Sequence, residues 1–389
     1  MSSPICDLAI AEALECGNAI LKFISPNDVG LTGGHQCGFY LPKSAWQLFA
    51  RFGPRKGRND ESPVRVRWQG DLTATESRVK WYGKGTRSEY RLTRFGRDFP
   101  FLAEECVGDL LVLIPRSLDE FTAFVLETDE DVEQLLGTLG VAIHETWGVF
   151  RAGEPEVESP DACVERKFRE FVTPLSAFPT GDAISSATRQ ALFDCIRTLA
   201  KAGPDEKLLR FMDDEYRLFR MIERQLLHKE IVRPFKDVDD FLRTARSIGN
   251  RRMARAGRSL ENHVDHILTE AGVPHSMRPR IDGRPDVVIP GEAEYKDPGF
   301  PLERLVVMGV KTTCKDRWRQ VVREGKRVPT KHLLTLQQGI SSAQIDEMFE
   351  ADVRLVVPAS LHSKYPKHAR SSLLTLDEFI ADVRVALAA

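Results

Sequence analysis

Asp286 and Lys311 are the two side chains of this sequence whose setting points most directly to chemistry. Asp286 opens a short β-branched run, Asp286-Val287-Val288-Ile289, that Pro290 and Gly291 stop. A second apolar run, Leu305 to Val310, delivers Lys311 at its end. Runs of this length and composition read as neighbouring buried strands, so both polar groups fall at the edge of one sheet. A carboxylate there can hold a magnesium ion against a phosphodiester. An ammonium beside it can steady an attacking hydroxide and the charge that grows on phosphorus.

An acid and a lysine so placed are the skeleton of the PD-(D/E)xK site, whose pattern also asks for an acid two residues before the lysine. That position is Gly309, which has no side chain to offer. A replacement can come from the segment that follows. Arg317, Gln320, Val321 and Glu324 recur at three- and four-residue spacing and share one face of an expected helix. Glu324, next to the terminating Gly325, is therefore the candidate second ligand beside Asp286. Spacing alone leaves two readings open, a hydrolytic site and a surface salt bridge.

Longer motifs add to that pattern. The segments RRMARAGRSLENHVDHIL (251 to 268), RPDVVIP (284 to 290), VKTTCKDRWRQ (310 to 320), HLLTLQQGIS (332 to 341) and VRLVVPASLHSKYP (353 to 366) resemble the catalytic domain of the EcoRII restriction endonuclease family. SPNDVGLTGGHQCGFYLP (25 to 42) is similar to the effector domain of the same family. The resemblance covers both ends of the chain and is weakest between about 100 and 205.

The elements that must position these residues follow from the whole chain. With 389 residues there is room for two or three domains, each with its own core. Hydrophobic residues make up 42% and charged residues 29%, and no apolar run approaches the length of a bilayer span. No basic region followed by an apolar core and cleavage site marks the amino end, so a cytoplasmic, membrane-free protein is expected. Seven cysteines with no CxxC pair argue against a disulfide framework and a structural zinc site.

A net charge of -2 gives no general attraction to nucleic acid, so clusters must supply it. Arg78 to Arg97 holds seven basic residues against Glu89 alone, interleaved with Trp81, Tyr82, Tyr90 and Phe95. Lys311 to Lys331 holds eight against Asp316 and Glu324, and Arg251 to Arg258 holds four arginines without an acid. Any one of these could be a solvated face, whereas three together favour DNA.

Taken in order, the chain divides into an amino-terminal domain (1–150), a linker or hinge (151–184) rich in Pro, Glu, Ser and Gly, and a catalytic domain (185–389). In the first, Val64-Arg65-Val66-Arg67-Trp68 alternates apolar and basic, placing arginines on one face of a half-buried strand, and further strands are expected at 110 to 114 and 121 to 126. In the third, Leu208 to Leu227 and Leu260 to Leu268 carry helical periodicity, with Glu261 off the apolar stripe. The remaining alternation of strand (331 to 336, 353 to 357) and helix (341 to 350, 375 to 387) is α/β.

The resemblance implies more than these patterns do. It implies an α/β catalytic domain of the PD-(D/E)xK restriction-endonuclease-like fold behind an N-terminal β-rich pseudobarrel that grips DNA with two arms. One arm would use His35, the other Lys84, Arg87, Glu89 and Arg91, with Tyr90 standing where the family has a further basic residue. Glu261 would be an auxiliary acid. Tyr216 would stack on a central base turned out of the duplex, although Met212 replaces the arginine expected four residues before it. Lys315, Asp316 and Arg317 would begin the helix after Lys311 and read C·G pairs in the major groove. The implied activity is magnesium-dependent cleavage of double-stranded DNA at a short palindrome such as CCWGG by a homodimer. A second copy of the site at the N-terminal domain would relieve inhibition, and a cognate DNA methyltransferase is expected as a companion. Two other readings stand beside it: a structure-specific repair or recombination nuclease, and a DNA-binding regulator with an inactive nuclease domain.

Overall fold

A computed structural model describes residues 3–31, 37–70, 73–85, 87–97, 99–141, 143, 147–152 and 162–388. The chain divides into two compact units. The first takes residues 1–154 together with two later excursions, 337–346 and 363–370. The second takes 155–336, 347–362 and 371–389.

The first unit opens with α1 (Pro4–Cys16), started by Ser3, whose hydroxyl accepts from the Cys6 N–H, and ended by Gly17 at φ +74°. Among the described residues seven strands precede a second α-helix: β1 (Asn18–Phe23), β2 (Phe39–Leu41), β3 (Asp60–Trp68), β4 (Thr73–Tyr82), β5 (Glu89–Thr93), β6 (Leu110–Pro115) and β7 (Glu120–Leu126). After α2 (Asp129–Leu139) comes β8 (Trp147–Arg151). The eight strands form one sheet in the order β2-β5-β4-β3-β7-β6-β1-β8. Along β3 the expected alternation is observed: Val64, Val66 and Trp68 are buried, while Arg65 is exposed and Arg67 half-buried. The buried set joins Phe39, Trp81, Tyr90 and Phe121 in an aromatic core. The other side of the sheet, with Leu21, Leu110 and Phe124, packs against Ala9 and Ala13 of α1 and Val132 and Leu135 of α2.

The second unit carries α3 (Ala162–Val172), α4 (Gly181–Cys195) and two long helices, α5 (Pro204–Val232) and α6 (Val238–Glu270). A short sheet follows: β9 (Ser276–Met277), β10 (Val287–Ile289), β11 (Val306–Lys311), β12 (Lys331–Thr335) and β13 (Val353–Val356), in the order β13-β12-β11-β10-β9. Strands β11, β12 and β13 run parallel, and β10 is antiparallel to β11. Between them lie α7 (Glu292–Lys296), α8 (Trp318–Val321) and α9 (Ser342–Glu350), with α10 (Leu376–Ala388) closing the chain. Leu208, Phe211, Leu218 and Ile222 of α5 and Leu260, Val264, Ile267 and Leu268 of α6 bury their stripes against Val287, Met308 and Val310 of the sheet and Phe379 of α10. Helical periodicity on one layer and continuous apolar strands on the other therefore make one core.

Two expectations need correction. The stretch 151–184 is not all linker, because α3 lies within it and Val164, Phe168 and Val172, spaced by four, are buried in the core of the second unit. Acidic and proline-rich flanks concealed that stripe; their residues 153–161 lie outside the described set. A disulfide also joins Cys163 to Cys195, tying α3 to α4 with Cα atoms 5.8 Å apart. Residues 32 apart on separate helices leave no local spacing signal for such a bond.

Candidate active site

Asp286 stands immediately before β10, and Lys311 is the last residue of β11. The antiparallel register pairs Val287 with Met308, so one step further Asp286 lies opposite Gly309 and next to Lys311. Asp286 Oδ2 accepts from Lys311 Nζ at 2.6 Å and from the Val310 N–H at 2.7 Å. A charged and a backbone donor on one oxygen fix the carboxylate without consuming its other oxygen. The lysine and aspartate side chains are 18% and 13% exposed, so the pair is largely shielded from solvent.

Gly309 is more than a missing acid. A Cβ there would stand 2.6 Å from Val321 Cγ2, so the side chain of α8 occupies the space an acid would need. The following segment carries the candidate replacement, Glu324. Helix α8 is a single turn that ends at Val321, and Glu324 sits in the bend beyond it rather than on the expected longer helix. Glu324 is held through its neighbours. The Gly325 N–H donates to the Asp282 carbonyl at 2.9 Å, and the Lys326 N–H donates to Asp282 Oδ2 at 2.6 Å. Tyr295 donates to Asp282 Oδ1 at 2.7 Å, and Gly283, at φ +73°, lets the chain pass with no Cβ to strike Glu324 Cα. From beneath, the buried Lys331 donates to the carbonyls of Gly325 (2.8 Å) and Val328. Burial lowers the pKa of this lysine.

Glu324 is itself only 8% exposed, and its Oε2 is buried without a hydrogen-bond partner. Burial pushes its pKa up to about 7, against the pull of nearby Lys311 and with the push of Asp286. A buried carboxylate oxygen with no donor is costly unless a cation or proton meets it. Oxygen donors from Asp286 and Glu324 suit a hard divalent cation such as magnesium. Among the described residues no three His, Cys, Asp or Glu side chains are gathered as metal ligands. Glu261 is half-buried on α6 and accepts at 2.5 Å from Arg278 Nε, so it is committed to an ion pair.

Lys315, Asp316 and Arg317 form the turn that leads into α8, with Arg317 as its N-cap, rather than the start of a longer helix. They fall between Lys311 and Glu324, with Asp316 exposed and the other two half-buried. Tyr216 is half-buried on α5 with the Arg255 guanidinium 4.9 Å from its ring centroid, and Met212, one turn earlier, is buried beside Ser259. In the first unit Lys84 and Arg87 are exposed, and Arg87 stands 5.7 Å over the Tyr82 ring. Arg91 is different: it is 5% exposed and donates to Glu89 at 3.0 Å. It stands in the part of β5, Tyr90 to Thr93, that is buried, unlike the other basic residues expected on that arm. Arg78 and Lys80 both pair with Glu61 across the β3–β4 ladder, so the basic run is partly neutralised. His35 lies outside the described residues.

The residues that sequence reasoning passed over are those that hold others. Asp282, Tyr295 and Lys331 fix the Glu324 bend, and Asp28 organises the loop after β1. Asp28 is buried in an ion pair with Lys22 and takes the Tyr40 N–H on Oδ1 at 2.9 Å, while its carbonyl accepts from Gly38.

Comparison with known proteins follows the same division. Residues 219–380 match the family model "EcoRII C terminal", and residues 17–145 match "Restriction endonuclease EcoRII, N-terminal". The chain is 35% identical over 387 residues to the Type II restriction enzyme EcoRII of Escherichia coli, covering 93% of each chain. It is 25% identical over 142 residues to the Type II restriction enzyme SsoII of Shigella sonnei, covering 33% of this chain and 45% of that one. A solved structure described as a restriction endonuclease PspGI–substrate DNA complex aligns with a TM-score of 0.46 at 13% identity, over 54% of this chain and 94% of that one.

Proposed function

Since the chain belongs to the EcoRII family of type II restriction enzymes, and is a site-specific deoxyribonuclease, we propose that Asp286, Glu324 and Lys311 carry its hydrolysis of duplex DNA. The observation that carries these roles is the Asp286–Lys311 pair at 2.6 Å beside a buried, unpartnered Glu324 oxygen. Asp286 and Glu324 would hold a magnesium ion, which when bound supplies Lewis-acid polarisation of the scissile phosphodiester. Lys311, oriented by Asp286, would donate to the attacking water or to a phosphoryl oxygen, placing positive charge where negative charge develops. Glu324 would give up any proton as the cation arrives. The burial that makes it a weak acid thus makes it a ligand whose occupancy depends on pH.

Lys315, Asp316 and Arg317 would enter the major groove next to these groups, offering two cationic donors and one acceptor to neighbouring C·G pairs. Tyr216 would receive an extruded central base, and Glu261 would assist as an auxiliary acid. The target would be CCWGG or a near relative, read by a homodimer because a palindrome imposes two-fold symmetry on its reader. The N-terminal domain would bind a second copy through His35, Lys84, Arg87 and Glu89 and, when empty, restrain the catalytic domain. A cognate methyltransferase would protect the host, and the working compartment would be the cytoplasm. No helix among the described residues is long and apolar enough to cross a membrane.

Mapping cut sites on a plasmid of known sequence, with and without magnesium, tests the whole reading. Discrete fragments with ends at one repeated sequence, seen only with the cation, are the expected result. Cleavage confined to junctions or flaps would replace it with a structure-specific enzyme.

A further inference from the structure

Three arginines lie within the eight residues that lead into Asp286: Arg278, Arg280 and Arg284, all exposed. Arg278 differs from the other two in its attachments. Its N–H donates to the Asp286 carbonyl at 2.7 Å, which fixes its backbone beside the first acid of the site. Its φ of +46° lies in the left-handed region that a residue with a side chain seldom adopts, as does that of Arg284 at +55°, two residues before the acid. The guanidinium is paired at 2.5 Å with Glu261, yet its side chain is 51% exposed while the glutamate is 13% exposed. Asp286 also lies within electrostatic reach of it. Behind the pair is a polar cleft of about 210 Å³ lined by Asp182, Arg189, Arg258 and Asn262 as well.

We propose that Arg278 grips a DNA phosphate beside the scissile bond, and that its transfer from Glu261 to that phosphate frees the glutamate to complete the cation site. The inference rests on the nuclease reading and adds a coupling to it. A guanidinium half in solvent can exchange a carboxylate for a phosphate, since both present oxygens to the same planar donors. Glu261, left without its partner in a half-buried place, then gains most by turning to a divalent cation. Duplex and cation therefore bind cooperatively, and the enzyme without DNA holds its metal weakly. By linkage the effect must appear in both directions.

The test uses the full-length chain and its Arg278→Ala, Arg278→Lys and Glu261→Gln variants, with folding of each followed by thermal melting. Manganese(II) affinity of the free protein is read by electron paramagnetic resonance. Affinity for a duplex carrying CCAGG is read in calcium across a series of salt concentrations. R278A should bind manganese several-fold more tightly than the parent in the absence of DNA, and its salt slope for duplex should fall by about one. R278K should keep the parental slope. E261Q should keep weak manganese binding that duplex no longer strengthens. An R278A protein with parental slope and parental manganese affinity overturns the proposal, as does one that loses manganese affinity. A parent that binds no duplex and cuts no plasmid overturns the nuclease reading first, and this inference with it.

Discussion

Val321 covers Gly309 so closely that a Cβ at residue 309 would meet it at 2.6 Å, and Glu324, the carboxylate proposed as the second ligand, lies three residues past the covering valine. The vacancy in the usual motif and its remedy are thus one packing event. Gly309→Asp, which restores the formal pattern, should lower activity rather than raise it. Overpacking of this kind costs about 1–3 kcal/mol, visible as a lower melting temperature. A second change, Val321→Ala, should recover much of the stability, and a double mutant no more stable than G309D would show that the contact is not the cause.

Lys311→Ala should leave duplex binding in calcium near the parental level while lowering the cleavage rate. Loss of one positioned charge donor typically costs about 10²–10³-fold. Single-turnover cleavage beside a gel-shift titration separates the two effects. Equal losses in binding and rate would make the lysine an anchor.

Glu324, whose pKa is raised to about 7, gives a pH signature. The folded, metal-free chain holds this proton more tightly than the unfolded chain, so this group's contribution to stability declines as pH rises from the ordinary glutamate range through about 7. Melting curves in a chelator should show that decline, and Glu324→Gln should lack that component. Magnesium at pH 8 should stabilise the parent and not the variant. A difference curve that is flat across this window would place the carboxyl in water.

Truncation tests both the domain division and the restraint. A fragment starting at residue 162 keeps α3 and the Cys163–Cys195 bond, whereas one starting at 185 loses Val164, Phe168 and Val172 from the core. The longer fragment should cut a one-site plasmid faster than the full chain, and the shorter should melt well below it. Equal rates for the longer fragment and the full chain would remove inhibition from the account.

On the N-terminal arm, Lys84→Ala and Arg87→Ala should each reduce the salt dependence of duplex binding by about one unit of slope without altering melting. Arg91→Ala should act on folding instead, since its buried guanidinium is paired with Glu89. An R91A protein that melts like the parent would return that arginine to the DNA-binding set.

Asp286 and Lys311 could be placed together from sequence because two short apolar runs ending in polar residues have few ways to pair. Glu324 was reachable for a different reason than the one that holds it. Helical spacing suggested a continuous face, while the chain makes one turn and then bends, fixed by Asp282 and Lys331 from far along the sequence. Such support is tertiary and leaves no periodic trace. Composition likewise misled at α3, where three apolar residues among charges carry the packing. On β5 both faces are buried, so no alternation distinguished Arg91 from the exposed Lys84 and Arg87 that precede the strand.

The base-reading turn proposed at Lys315 to Arg317 is bracketed by Lys311 on one side and Glu324 on the other, with a single helical turn between. Grammar and scissors therefore share one short piece of backbone. Breeding a variant for a new target by altering that turn would shift the cutting groups as well, and compensating changes would be needed where Asp282 and Lys331 anchor the far end.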